Sequence, residues 1–193
     1  VFDLFINYVE HMLLFYSLDT NRYYGYTAGS ESISEGIIKK GKLKEFEQFL
    51  NNLEINYKLE ARELDGKQQI YVKFDKGEAN FYSIASTGTR ALALFYYWTI
   101  KSEEVSLIFM DEFDAYYHYE LSSYIVKYIL KQKNAQILFT SHNTNLMNND
   151  LFRPDCLFIM QNKGIKTMSD LTEKELRQAH NLQKMYKAGA FDE

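Results

Sequence analysis

Residues 107–114 read Leu-Ile-Phe-Met-Asp-Glu-Phe-Asp, four apolar residues that run directly into two adjacent carboxylates. Further along the chain, residues 136–139, Gln-Ile-Leu-Phe, run in the same way into Thr-Ser-His at 140–142. Short apolar runs that end in polar residues are typical of buried strands in a parallel sheet. In open α/β sheets the carboxyl ends of such strands form the ligand-binding edge. We therefore expect the carboxylates and the histidine to lie at that edge.

The rest of the chain predicts helices and strands around these two runs. From the amino end, the predicted elements are a helix over 1–18, a loop over 19–41, a helix over 42–52, a strand over 55–64 with a turn at Asp65-Gly66 into a strand over 68–74, a turn at Lys76-Gly77, a buried helix over 91–100, a strand over 105–110, a helix over 118–131, a strand over 136–140, a short helix from about 143, a strand over 156–160 and a helical tail over 172–188. This alternation predicts an α/β fold with a mostly parallel sheet flanked by helices. We divide the chain into a helical segment with a long loop, 1–54, and a main lobe, 55–193.

Composition excludes several classes of protein. The 193 residues carry a formal net charge of −4, with 46% hydrophobic and 25% charged residues, which is ordinary for a globular domain and gives no electrostatic case for nucleic-acid binding by the whole surface. The single cysteine, Cys156, rules out an intramolecular disulfide, and its apolar neighbours predict a buried strand position. No apolar run of about 18 residues predicts a membrane span. The first residues lack signal-peptide features, so a cytoplasmic location is the default expectation.

The adjacent acids at the end of the first strand suit metal-assisted hydrolysis. Successive strand residues point to opposite sides, so Asp111 can face a metal ion while Glu112 faces a water molecule. Mg²⁺ keeps several of its waters and takes few carboxylates, which suits a single aspartate. Glu112 would then act as the base that orients the water. The alternative is a strand that simply ends in polar residues, and His142 has the equivalent alternative of a structural histidine.

The loop at 86–90, Ser-Thr-Gly-Thr-Arg, precedes the apolar helix. Ser86 or Thr87 can cap that helix, with Gly88 relieving the turn. A serine hydroxyl at a helix N-terminus with free backbone N–H groups also suits a phosphate, and both interpretations can hold at once. Asp114, close to His118, is either a cap of helix 118–131 or part of a loop that touches a partner subunit.

Taken in order, these motifs resemble the second half of an ABC-type ATPase. The relevant residues are Ser86-Thr87-Gly88-Thr89-Arg90, Leu107 to Glu112, Asp114 and Ser141-His142. The chain is most similar to the prokaryotic AAA family ATPases of the abortive-infection and overcoming-lysogenization-defect-like groups, relatives of the chromosome-maintenance and recombination ATPases. The phrases Asp-Glu-Phe-Asp-Ala and Thr-Ser-His-Asn-Thr-Asn-Leu are typical of that group, as is the end of the chain from Arg177 to Phe191. The likeness covers residues 81–191 well and 20–80 more loosely.

The resemblance implies a P-loop NTPase fold of the ABC type with ATP and Mg²⁺ as cofactors. It implies that Asp111 binds the metal, that Glu112 and His142 are catalytic, and that residues 86–90 form a signature loop that contacts the γ-phosphate held by a partner subunit. Asp114 and His118 would belong to the D-loop interface. The implied assembly is a head-to-tail homodimer that sandwiches ATP and acts as a switch in phage defence, coupled to an effector nuclease or toxin. Nucleic acid is possible but not indicated, and no membrane is implied.

The chain departs from that family pattern in its signature loop and in the absence of a Walker A motif. The loop lacks the Leu-Ser-Gly-Gly-Gln of transporters, with Thr87 and Thr89 in place of a glycine and the glutamine. No Gly-x-x-x-x-Gly-Lys-Ser/Thr motif occurs, so the backbone cradle and lysine for the phosphates are missing. The chain also starts inside a helical pattern at Val1, without an initiator methionine. We therefore expect the Walker A lobe to lie upstream and this chain alone to be inactive.

Three other functions stay open at the level of the sequence. A DNA-organising or repair ATPase would need a coiled coil between its lobes, and residues 1–64 show no sustained heptads. A metal-dependent nuclease of the Toprim kind would use Glu112 and Asp114. That fold requires another acidic residue on an earlier strand, and the order of strands and helices around 86–112 fits it poorly. A non-catalytic interaction module would keep these motifs only as scaffold. Loss of nucleotide-dependent dimerisation would favour the last.

Overall fold

The computed structural model of the chain describes residues 1–16, 22–25, 31–101, 105–131, 135–162, 164–177 and 179–192. The chain forms two compact units, one of Val1–Tyr117 with Ile129–Ser141 and one of His118–Tyr128 with His142–Glu193. In chain order the helices and strands are α1 (Phe2–Glu10), β1 (Met12–Tyr16), β2 (Arg22–Gly25), α2 (Ile33–Lys39), α3 (Leu43–Asn51), β3 (Leu59–Leu64), β4 (Lys67–Phe74), β5 (Gly77–Asn80), α4 (Phe81–Ile84), α5 (Thr87–Thr99), β6 (Leu107–Asp111), α6 (Tyr119–Ile129), β7 (Gln136–Phe139), β8 (Phe158–Gln161), β9 (Gly164–Thr167) and α7 (Leu182–Lys187).

The first unit contains a four-stranded sheet in the order β2-β1-β6-β7. Strands β1, β6 and β7 run parallel, while β2 pairs with β1 antiparallel. The parallel core confirms the mixed α/β architecture that the apolar runs predict. Because β6 and β7 are parallel neighbours, the residues that follow them emerge at the same edge of the sheet.

The two faces of this sheet differ in burial. On one face Leu13 pairs with Ile108 in register, and both are buried, as is Met110 one step along. On the other face Phe109 is half-buried, and its partner Leu138 on β7 is 41% exposed. The sequence predicts a sheet covered on both faces. The described residues cover one face well and leave the second partly open to solvent.

The second sheet, in the order β3-β4-β5, is antiparallel and packs against the helices α2, α3 and α4. Its core is aromatic and centres on Phe46, which is fully buried. The ring of Phe46 lies 6.5 Å from Phe49, 5.8 Å from Phe81 and 5.0 Å from Tyr96, between ring centroids. Helix α5 supplies Tyr96 and carries ten buried residues, so it anchors the loop at its N-terminus to this core.

Helices α2 and α5 meet where Gly36 faces the ring of Tyr97. A Cβ atom at Gly36 would overlap that ring, with Cε2 nearest and Cδ2 at 2.9 Å. The ring cannot easily withdraw, because the Tyr97 hydroxyl donates to Glu31 Oε2 at 3.2 Å and accepts from Lys101 Nζ at 2.6 Å. The hydrogen bond from Lys101 lowers the pKa of the Glu31 carboxyl and keeps this pair charged. Any side chain at position 36 would therefore force the Tyr97 ring or the two helices to shift.

Replacing Gly36 with alanine is expected to destabilise the protein by about 1–3 kcal/mol, the usual cost of overpacking a well-filled core. Urea denaturation of Gly36→Ala measures this change. In a Tyr97→Ala background the same substitution meets no ring, and we expect it to be neutral or stabilising by up to about 1 kcal/mol through helix propensity. Equal losses in both backgrounds would show that the Tyr97 ring is not the cause.

The second unit has its own apolar core around the β8-β9 hairpin. The buried residues of this core are Ile159, Met168, Leu182 and Phe191. Helix α7 begins at an Asn181 cap, whose side chain accepts from the Lys184 N–H at 2.8 Å. The outer residues Phe158, Met160 and Ile165 of the hairpin are exposed. Among the described residues of both units, no helix is long and apolar enough to cross a bilayer.

Several sequence predictions are confirmed by these elements. The helix over 42–52, the turn at Asp65-Gly66, the buried helix that contains residues 91–100, the strands near 105–110 and 136–140 and the helix near 118–131 all occur within a few residues of the predicted bounds. Both residues of the Asp65-Gly66 turn have positive φ, as a tight hairpin turn requires. The second hairpin turns one residue earlier than predicted, at Asp75-Lys76, with Gly77 opening β5.

Two predictions near the amino end are wrong at least in part. The helix over 1–18 stops at Glu10, and Met12–Tyr16 forms a strand because pairing with β6 overrides a helical spacing of apolar residues. The loop over 19–41 contains β2 and helix α2. The missed signal is the capping box at Ser32 and Glu35, in which each side chain bonds the backbone N–H of the other residue. The remaining part of that loop, up to residue 30, lies outside the described residues.

Two predictions near the carboxyl end are also wrong. The tail over 172–188 is helical only at Leu182–Lys187, and the described residues before Asn181 form turns and irregular structure. Cys156 is exposed in a short 3-10 turn, Pro154–Cys156, and the strand begins after it at Phe158. The proline fixes the start of that turn and so displaces the strand along the chain.

Candidate functional site

Residues 111–114, Asp-Glu-Phe-Asp, form a tight turn at the carboxyl end of β6. We call these four residues the acidic turn. Asp111 is the last residue of the strand and is half-buried. Glu112 follows with a φ of 45°, in the left-handed region that residues other than glycine rarely adopt. That backbone conformation costs roughly 1–2 kcal/mol and departs from the extended conformation of the strand. The regular alternation of side chains along β6 therefore ends at Asp111.

Thr140, the residue after β7, binds the acidic turn through both its side chain and its backbone. Its Oγ1 donates to Asp111 Oδ1 at 2.7 Å and accepts from the Glu112 N–H at 2.7 Å. Its backbone N–H donates to the Met110 carbonyl at 3.0 Å, and its carbonyl accepts from the Phe113 N–H at 3.2 Å. These four bonds compensate for the strained conformation at Glu112 and fix the acidic turn against β7.

Ser141 extends this contact to the far end of the acidic turn. Its Oγ donates to Asp114 Oδ2 at 2.9 Å. Between the two, Phe113 is buried and its ring lies 4.5 Å from the ring of Phe139. Two hydroxyl residues after one strand thus hold two of the carboxylates that follow the neighbouring strand.

The loop 86–90 is built as a capped helix start. Ser86 is the N-cap of α5, and its Oγ accepts from the Thr89 N–H at 3.1 Å. The two hydroxyls of Ser86 and Thr89 also hydrogen-bond to each other at 2.9 Å. Thr89 is buried, whereas Ser86, Thr87 and Arg90 are exposed. The capping role predicted for Ser86 is confirmed, and the first turn of the helix remains accessible.

Gly88 brings this loop against the segment that follows the acidic turn. A Cβ atom at Gly88 would lie 3.3 Å from the Tyr116 carbonyl oxygen, which is tighter than most contacts of that kind. The Tyr117 N–H in turn donates to the Asp114 carbonyl at 3.0 Å. Within the first unit, therefore, the loop 86–90 and the acidic turn are connected through Tyr116 and Tyr117.

Two tyrosines close to these segments are kept protonated. Burial raises the pKa of the Tyr117 hydroxyl. Burial also raises the pKa of Tyr82, against the opposing effect of the Arg90 charge. Among the described residues the Tyr82 hydroxyl has no hydrogen-bond partner. Neither tyrosine can therefore serve as a base at neutral pH.

The acidic turn fits Mg²⁺ held together with phosphates better than a protein-only metal site. In the described part of the chain, no three His, Cys, Asp or Glu residues are grouped so that they could hold a metal ion. Of the two Asp111 oxygens, only Oδ1 is engaged by another described residue, so Oδ2 is available as a ligand. A single aspartate with water and phosphate oxygens is the usual coordination for Mg²⁺.

The structure brings together some of the predicted site residues and assigns others to the second unit. Asp111, Glu112 and Asp114 share the acidic turn, and Gly88 contacts the segment after it. His142 and His118 are exposed residues of the second unit. There His118 Nε2 lies 3.8 Å from Glu120 Oε2. Their functional roles remain predictions.

The motifs singled out in the sequence do not include the roles of Thr140, Ser141 and Tyr116. For Thr140 and Ser141 a usable signal exists, because two hydroxyl residues directly follow a strand that neighbours a strand ending in a pair of acids. The contact of Tyr116 depends on its backbone carbonyl, so no side-chain pattern could reveal it.

A family profile described as "AAA domain, putative AbiEii toxin, Type IV TA system" matches residues 7–148, well over half of the chain. The matched region includes the loop 86–90, the acidic turn and His142. The match implies a P-loop NTPase fold, in agreement with the parallel strands and flanking helices described above. No curated protein is significantly similar to the chain.

Proposed function

The chain belongs to this AAA-domain family, and from this premise we propose that it is the hydrolytic lobe of an ABC-type ATPase that acts as a nucleotide-driven dimerisation switch. The observation that carries this proposal is the acidic turn. Asp111 ends a parallel strand, Glu112 follows it with a left-handed backbone, and Thr140, just after the neighbouring strand, bonds both the Asp111 carboxylate and the Glu112 N–H. One carboxylate can then bind a metal while the next orients a water.

In this proposal each residue of the acidic turn has a separate task. When bound, Mg-ATP would supply the phosphoryl group for transfer to water. Asp111 would hold the metal through Oδ2, while its Oδ1 accepts from Thr140. Glu112, whose φ is 45°, would orient the attacking water and accept its proton. His142 contacts the γ-phosphate, as the resemblance implies, and Asp114 belongs to the subunit interface.

We further propose that the phosphate-binding loop comes from a Walker A lobe outside residues 1–193. The sequence has no Gly-x-x-x-x-Gly-Lys-Ser/Thr motif to cradle the phosphates. The partly open sheet face at Phe109 and Leu138 lies on the strands that carry the acidic turn and Thr140, and it offers apolar surface to such a lobe. In this proposal the complete protein consists of this chain together with that lobe.

The switch would be a head-to-tail dimer in which the loop 86–90 of one subunit closes on the nucleotide held by the other. Ser86, Thr87 and Arg90 are exposed at the start of α5, where the helix dipole favours a phosphate. Gly88 links this loop to the segment after the acidic turn through Tyr116. Hydrolysis would open the dimer and change the state of an effector nuclease or toxin during phage defence.

Ser86→Arg in the complete protein is expected to abolish ATP-dependent dimerisation without weakening nucleotide binding by each subunit. The bulky side chain blocks the approach of the partner, whereas the nucleotide of the same subunit is held elsewhere. Sedimentation velocity with Mg-ATP measures the dimer, and a fluorescent ATP analogue measures binding. Ser83→Arg is the matched control, because Ser83 is exposed on the preceding helix α4.

Ser86→Ala separates the steric effect from the loss of the helix cap. Removing the cap costs about 1 kcal/mol of stability and leaves room for the partner. We expect this variant to dimerise with reduced affinity. If Ser86→Arg dimerises as well as Ser83→Arg does, the loop is not at the interface and the switch proposal fails.

A further inference from the structure

We propose that Thr140 is a positioning residue for hydrolysis, and that its hydroxyl sets the orientation of both Asp111 and Glu112. The inference deepens the proposed function and rests on it. It draws on the two bonds of one oxygen atom, donated to Asp111 Oδ1 and accepted from the Glu112 N–H, each 2.7 Å long. Thr140 itself need not touch the nucleotide or the attacking water.

The donor role of the hydroxyl determines which carboxylate oxygen of Asp111 meets a metal. A carboxylate with neither oxygen engaged can rotate about its last bond and exchange its two oxygens. The bond from Thr140 holds Oδ1, so Oδ2 is the one oxygen presented outward. Partners of this kind orient metal ligands and raise the affinity of a site.

The acceptor role of the hydroxyl stabilises the unusual backbone of Glu112. The backbone at Glu112 has a φ of 45°. The Glu112 N–H donates to Thr140 Oγ1, so this part-buried donor is satisfied. If this bond is lost, the backbone at Glu112 can relax towards an ordinary conformation, and its carboxylate moves with it.

The backbone bonds of Thr140 fix the register between β6 and β7 whatever side chain stands at position 140. The orientation of Asp111 and Glu112, in contrast, depends on the Thr140 hydroxyl. The bonds from Thr140 N–H to the Met110 carbonyl and from the Phe113 N–H to the Thr140 carbonyl survive any substitution except proline. A Thr140→Val variant therefore keeps the strand pairing and the shape of the residue. It loses only the two hydroxyl bonds, so the consequences are confined to the two acids.

The test compares Thr140→Val and Thr140→Ser in the complete protein, with Glu112→Gln as the reference for lost chemistry. We expect Thr140→Val to lower kcat for ATP by about 10–100-fold, the usual loss when a partner of a metal ligand is removed. The KM for ATP should change little, whereas the Mg²⁺ concentration needed for half-maximal rate should rise. Thr140→Ser retains the hydroxyl and should recover most of the turnover.

Thr99→Val is the matched control for a purely structural effect. Thr99 is buried, and its Oγ1 donates to the Tyr96 carbonyl at 2.7 Å at the C-terminal end of helix α5, the end opposite to the loop 86–90. We expect Thr99→Val to lower the melting temperature about as much as Thr140→Val does, but to leave kcat and the Mg²⁺ dependence unchanged. If Thr140→Val does not fold, Thr140→Cys serves instead, because a thiol has nearly the same size but is a weak donor.

The outcomes separate this inference from the function on which it rests. If Thr140→Val hydrolyses ATP at the wild-type rate while Glu112→Gln does not, Thr140 has no positioning role and the proposed function stands. If Thr140→Ser is as impaired as Thr140→Val, the hydroxyl is not the cause and the inference is also overturned. If the wild type and Glu112→Gln show the same turnover, the proposed function itself is wrong.

Discussion

Glu112→Gln in the complete protein is expected to lower kcat for ATP by about 10²–10⁴-fold, the usual contribution of a positioned general base. Glutamine has the size of glutamate and can still occupy the left-handed backbone with its N–H bonded to Thr140. It cannot accept the proton of the attacking water. Nucleotide binding should be retained, because Asp111 and its bond from Thr140 are unchanged. Steady-state phosphate release measures the loss.

Glu63→Gln is the matched control for that prediction. Glu63 is exposed in strand β3 of the second sheet, where its carboxylate accepts from Gln68 Nε2 at 3.2 Å. The same chemical change there should leave kcat within about twofold, as expected for an exposed side chain away from the chemistry. Equal turnover in Glu112→Gln and Glu63→Gln would remove Glu112 from the mechanism.

Phe46→Ala is expected to destabilise the first unit by about 3–5 kcal/mol, the range found for truncating a buried phenylalanine. Phe46 is fully buried, and its ring packs against Phe81 and Tyr96, whose helices would have to collapse into the gap. Because such a loss approaches the whole stability of many domains, a partly unfolded protein at room temperature is an expected result. Urea denaturation followed by fluorescence measures the change.

Phe74→Ala provides the comparison for Phe46→Ala. Phe74 is the last residue of β4, in the sheet that packs against the helix of Phe46, and its side chain is 51% exposed. The substitution removes the same atoms but leaves no cavity, so a change within about 0.5 kcal/mol is expected. Losses of similar size in the two variants would contradict the aromatic core described around α3 and α5.

The parts of the fold that the sequence predicts well are those in which one local signal decides the structure. The apolar runs of β6 and β7, the Asp65-Gly66 turn and the capped helix α5 each carry such a signal. The sequence predicts a helix over Met12–Tyr16 because Met12, Leu13 and Tyr16 continue the spacing of three and four residues that begins at Phe2, although the same apolar run suits a buried strand equally well. Only the pairing with β6, far away in the sequence, decides between them.

In the candidate site, too, the order of side chains in the sequence predicts some features, whereas features that depend on the backbone conformation cannot be predicted. Asp111 and Glu112 are predictable because adjacent acids follow an apolar strand. The left-handed conformation of Glu112 is not predictable, since no residue type in the turn requires it. The contact of Gly88 with the Tyr116 backbone carbonyl is not predictable either. A glycine at the start of a helix is explained equally well by the turn itself, without any close contact.

The most direct test of the account is light scattering of the complete protein carrying Glu112→Gln, with and without Mg-ATP. This variant should bind nucleotide and hydrolyse it slowly, so the closed state should accumulate. We predict a monomer without nucleotide and a stable dimer with Mg-ATP, and the dimer should disappear when Ser86→Arg is added. A molar mass that does not change with Mg-ATP would contradict the switch and leave a scaffold or interaction module as the function of these motifs.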